Sequence, residues 1–128
     1  MTVLSKAVQI QRGQLWEVDF EPQTQKEEPG KRGRPALVIQ TNILNAAGHA
    51  TIIVIPGTTQ VYRDSQGDGY PLRISIGKAG KLKEETDLLI DQIRTISNKR
   101  LMGERPLTEL SRAHMKRVED ALRLLTGE

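Results

Sequence analysis

A chain of 128 residues is long enough for one domain with a modest core. The absence of cysteine, with only two histidines (His49 and His114) far apart in sequence, excludes disulfides, thiolate metal sites and paired-histidine chemistry. The formal charge of +3 suits an anionic partner, while one Trp, one Phe and two Tyr are too few for an aromatic stacking platform.

Residues 1–11 read as a flexible lead, without the apolar core of a signal peptide, and residues 12–128 as a single domain. With no apolar stretch near the roughly 20 residues of a membrane span, a cytoplasmic location is expected. In Gln14–Phe20, Trp16, Val18 and Phe20 alternate with Glu17 and Asp19, which predicts a half-buried strand. Residues 23–35 form a long charged loop, which in a small domain is functional or mobile. Ala36–Gln40 predicts a buried strand, Asn42–Ala47 one helical turn, and the β-branched run Thr51–Ile55 a further buried strand. A second long loop spans residues 57–71. Leu72, Ile74 and Ile76 then alternate with Arg73 and Ser75, a strand with one wet face on which Arg73 is expected to be solvated. Leu88-Leu89-Ile90 opens one more strand running through Ile93 and Ile96, followed by a turn or short helix over 98–103. Ser111 is a helix N-cap, and Met115, Val118, Leu122 and Leu125 give the apolar face of a terminal helix. On that helix Lys116/Asp120 and Glu119/Arg123 have i,i+4 spacing. The sum is mainly β with helices (α+β): a small, strongly bent sheet or barrel, whose two long loops converge at one end.

Two segments carry chemistry. Gly33-Arg34-Pro35 stands at the mouth of one apolar strand, and Pro56-Gly57-Thr58-Thr59-Gln60 at the end of another. Arginine presents forked donors that match phosphate oxygens, and a threonine hydroxyl adds one more hydrogen bond. Together they suit a phosphodiester undergoing attack by its own ribose 2′-OH, a reaction that needs no metal. Pro35 restricts Arg34 to extended backbone. Each residue alone also fits a solvated loop.

In order along the chain, Arg12–Pro22, Gly33–Ile39, Ile55–Gln60, Gly69–Pro71, Leu89–Ile96 and Leu110-Ser111 resemble the MazF/PemK-type toxins of bacterial toxin–antitoxin systems, over about residues 12–126. The resemblance implies an SH3-like barrel of the MazF/PemK/CcdB kind, a homodimer without cofactor or metal, and cleavage of single-stranded RNA to 2′,3′-cyclic phosphate and 5′-hydroxyl ends. It implies a cognate antitoxin as partner, with DNA binding by the toxin–antitoxin complex. Arg34 and Thr58 match the family's catalytic arginine and threonine; Glu28 lies near a loop acid of the family. Asp91 matches an aspartate that is catalytic in some PemK-type members, yet Leu89 stands where those members carry arginine, so Asp91 either reacts or braces the site. Lys31, Arg32, Thr59, Gln60 and Gln92 are the expected RNA-binding residues. Two alternatives share the fold: a non-catalytic toxin that binds a protein such as DNA gyrase, and a degenerate, inert member.

Overall fold

The protein is described by a computed structural model over residues 9–20, 33–61 and 71–127. Strand β1 (Gln14–Asp19) follows the predicted alternation, with Trp16 and Val18 buried on one face. Leu15 is buried as well, because the other face of this strand is also covered in part. β2 (Gly33–Val38) pairs antiparallel with β1, Val18 facing Arg34 and Trp16 facing Ala36. It begins three residues earlier than expected and takes Gly33-Arg34-Pro35 into the sheet. The one-turn helix α1 (Asn42–Ala46) is capped by the Thr41 hydroxyl and leads into β3 (Thr51–Thr58).

β3 is the hinge of the architecture. One edge pairs with β2, Ala36 facing Pro56. Its other edge pairs first with β6 (Arg94–Ser97), from Thr51 facing Ser97 to Val54 facing Arg94, and then with β5 (Thr86–Leu89), where Gly57 faces Leu88 and Thr58 faces Asp87. Between these two ladders β3 uses only Ile55 and Pro56, while its partner uses residues 89–93, three of them in a one-turn 3-10 helix at Ile90–Gln92. The single strand expected over 88–96 is therefore two strands. Pro56 has no N–H to sustain a ladder, and the edge is interrupted where it stands.

β4 (Arg73–Gly77) pairs with β5 and completes that arm. A one-turn helix (Asn98–Arg100) leads to the two-residue strands β7 (Leu101–Met102) and β8 (Thr108–Glu109), which pair with different parts of β1. The sheet curls in the order β4-β5-β3-β2-β1-β7, with β6 on β3 and β8 on β1.

Both faces of the central strands are buried. One carries Trp16, Val18, Phe20, Val38, Val54 and Leu101. Ile10, within the expected lead, is buried among them; residues 1–8 lie outside the described residues. The other face carries Leu15, Leu37, Ile55, Ile74 and Leu88, covered by Val118 and Ala121 of the C-terminal helix α2 (Arg112–Leu125). The Ser111 hydroxyl caps α2, accepting the His114 N–H at 3.1 Å. Lys116 pairs with Asp120 as its spacing predicts, at 3.0 Å. Glu119 does not pair with Arg123: it takes Arg12 of the β1 approach at 3.0 Å, and Arg123 turns to Asp120 at 2.9 Å. Among the described residues no helix is long and apolar enough to cross a membrane.

Candidate functional site

Four strand ends meet at one end of the curled sheet: the exit of β1 at Phe20, the entry of β2 at Arg34, the exit of β3 at Thr58 and the entry of β6 at Arg94. The antiparallel register that sets Ala36 against Pro56, continued by two residues, brings Arg34 opposite Thr58. Arg34 Nη2 donates to the Gly57 carbonyl at 3.1 Å, so its guanidinium lies beside the peptide that carries Thr58. The approach needs glycine at position 57. A Cβ there would stand 3.0 Å from the Thr86 methyl and 3.3 Å from the Pro35 carbonyl oxygen. Thr58 Oγ1 accepts the Gln60 N–H at 3.1 Å, which fixes the turn after β3 and leaves the hydroxyl proton available to a ligand.

Sequence reasoning missed the second guanidinium. The Arg94 Cζ lies 4.4 Å from the centroid of the Phe20 ring, and the Arg34 Cζ 5.7 Å from the same centroid. Phe20 is buried beneath them and gives two cations a common rigid floor. Burial, and then repulsion from Arg34, hold the Arg94 guanidinium below its ordinary value. Two like charges kept together this way make a ready site for an anion. The sequence signal for Arg94 was faint: a lone charge in a run otherwise read as one continuous strand.

A buried brace stands behind Thr58. Asp87, its cross-strand partner on β5, is fully buried. Arg73 Nη1 lies 3.3 Å from Asp87 Oδ2 and donates to the Gln60 carbonyl at 3.3 Å. The expectation of a solvated Arg73 is thus corrected. β4 runs beside β5, and a side chain from Arg73 reaches diagonally across the pair to a carboxylate that has no access to water.

The other expected residues fall in three places. Thr59 and Gln60 are exposed just past β3. Asp91 and Gln92 are exposed on the one-turn helix between β5 and β6; among the described residues the Asp91 side chain makes no hydrogen bond or ion pair. Glu28, Lys31 and Arg32 lie outside the described residues. Among the described residues no group of three or more His, Cys, Asp or Glu is placed to hold a metal ion.

Comparison with known proteins agrees with this architecture. Residues 11–126 match the family described as PemK-like, MazF-like toxin of type II toxin–antitoxin system. Among solved structures, a MazE–MazF crystal structure from Deinococcus radiodurans aligns with a TM-score of 0.69 at 22% identity, over 93% of this chain and 97% of that one. A mycobacterial endoribonuclease in complex with its cognate antitoxin aligns with a TM-score of 0.66 at 22% identity, over 93% and 94%. Toxin MazF-mt6 of Mycobacterium tuberculosis aligns with a TM-score of 0.66 at 16% identity, over 88% and 95%.

Proposed function

The chain belongs to the PemK-like, MazF-like toxin family of type II toxin–antitoxin systems, and from that premise we propose that it is an endoribonuclease that cuts single-stranded RNA without a metal. The observation that carries this reading is the meeting of Arg34 with the Gly57–Thr58 peptide at one end of the sheet.

The ribose 2′-OH gives its proton to water and attacks the adjacent phosphorus, the P–O5′ bond breaks, the departing O5′ takes a proton from water, and the products carry a 2′,3′-cyclic phosphate and a 5′-hydroxyl. Negative charge grows on the non-bridging oxygens in the transition state. Arg34 meets it with two forked N–H donors, held in place by the Gly57 carbonyl and by Pro35. The Thr58 hydroxyl, fixed by its bond from Gln60, donates one more hydrogen bond. Arg94, against the same Phe20 ring, adds positive field. Its repulsion with Arg34 exists before the anion arrives and is relieved by it, so the pair favours the more highly charged transition state over the ground state. Asp87 and Arg73 hold the far side of Thr58 and its turn, a positioning role.

The protein works as a homodimer and is restrained by a cognate antitoxin. The mycobacterial endoribonuclease of similar fold is in complex with its cognate antitoxin, and the Deinococcus radiodurans structure is of MazE–MazF, which supports the antitoxin part of this reading.

The test is cleavage of single-stranded RNA with EDTA present. Wild type cuts, and its products carry cyclic phosphate ends; Arg34→Ala and Thr58→Ala each slow cleavage by about 10²–10³, the usual loss for one donor to a developing oxyanion. If Arg34→Ala cuts as fast as wild type, the assigned site is wrong. A wild type that cuts nothing yet retrieves gyrase would favour the binding alternative.

A further inference from the structure

We propose that the groove on the opposite face of the β2–β3 strand end holds the nucleotide next to the scissile phosphate and selects its base. This rests on the ribonuclease reading. The groove has a volume of about 380 Å³, within the ordinary range for a small-ligand site. Pro35 and Thr59 line it, and they are the chain neighbours of Arg34 and Thr58. Side chains alternate along a strand, so Pro35 faces away from Arg34. Pro35 and Thr59 thus tie the groove, through the chain, to the two residues assigned to the phosphate.

The walls suit a base and the rim suits a phosphate. Pro35, Leu82 and Leu107 offer apolar surface to a base face. Lys81 and Lys83 are exposed beside them. Two carboxylates, Glu17 and Glu84, also line the groove. Glycine at 33 makes the room that Glu17 occupies, since a Cβ there would collide with its carboxylate. Carboxylates accept hydrogen bonds and cannot donate them. They accept from the exocyclic amino groups of cytosine, adenine or guanine, a bond that O4 of uracil cannot offer. The ligand is therefore a nucleotide with an amino-bearing base, favoured over uracil at this position.

The experiment maps cut sites in a randomised single-stranded RNA pool and measures kcat and KM on one cleaved oligonucleotide, over a range of salt. Wild type, Glu17→Gln/Glu84→Gln, Lys81→Ala/Lys83→Ala and Gly33→Ala are compared, with melting curves to establish folding. The glutamine variant and Gly33→Ala are expected to raise cutting beside uracil about tenfold relative to other bases. The lysine variant is expected to raise KM about tenfold with kcat within roughly twofold, and to flatten the salt dependence. An unchanged base distribution in the glutamine variant, with an unchanged KM in the lysine variant, overturns the groove and leaves the ribonuclease reading standing. A wild type that cuts no RNA sinks both. If the variants change inhibition by an acidic peptide but not RNA cutting, the groove binds protein and the proposal is wrong.

Discussion

At the scale of single residues, the site sets two arginines over one phenyl ring, and the fold bears their repulsion. An anion that lies between them should stabilise the folded state by mass action. Sulfate in excess is expected to raise the melting temperature of wild type, and to raise that of Arg34→Ala or Arg94→Ala much less. Equal shifts in all three would mean that the two guanidinium groups do not share an anion. Arg94→Ala should also slow RNA cleavage, by about 10–10², less than Arg34→Ala, because Arg94 is assigned field and not direct contact. The buried carboxylate of Asp87 makes a separate demand. Arg73→Ala removes one partner of that carboxylate, at an expected loss of about 1–3 kcal/mol. Chemical denaturation of the two proteins measures the difference.

At the scale of elements, α2 carries a pH response. His114 lies in its first turn, its Nδ1 buried without a hydrogen-bond partner among the described residues. Burial, and then the charge of Arg117, hold its pKa below the ordinary 6.5. The positive end of the helix dipole acts in the same sense. A depressed histidine is neutral in the fold and charged in the unfolded chain, so the unfolded state binds the extra proton. Stability is then full above 6.5, declines as pH falls through that value toward the lower folded pKa, and levels off beneath it. His114→Gln should remove this decline, as read from melting temperatures across that window. Ser111→Ala, which deletes the cap of the same helix, should cost about 1 kcal/mol at any pH. Elements with a clean local period were legible in the sequence: β1 from Trp16 and Val18, β4 from Ile74 and Ile76, α2 from Met115, Val118 and Leu122. The corner between β5 and β6 was not. Leu88 to Ile96 contains neither glycine nor proline, so the break has no local mark; the residue that interrupts the edge is Pro56, on the partner strand. The same non-local cause hid Arg94, whose place beside Arg34 follows only once that corner is turned. Arg34 and Thr58 were legible because each sits at the end of an apolar run, and register does the rest. β8 is too short for any pattern, and is held where Leu107 donates its N–H to the Leu15 carbonyl at 2.6 Å.

At the scale of the whole molecule, the first strand is completed by the last ones. β1 pairs on one side with β2, but its other side waits for Leu101–Met102 and Thr108–Glu109, and Leu15 shares its core with Val118 and Ala121 of α2. A chain truncated after Gly103 should therefore melt without cooperativity and cut no RNA, although Arg34, Thr58 and Arg94 are all present. Circular dichroism and the cleavage assay check the two halves of that statement. The pairing also sets a clock. A ribosome adds roughly 5–20 residues per second, so on the order of ten seconds separates synthesis of Thr58 from release of the helix that closes the second core. Throughout that interval the nascent polypeptide carries Arg34 and Thr58 without the second core that fixes the sheet on which they meet.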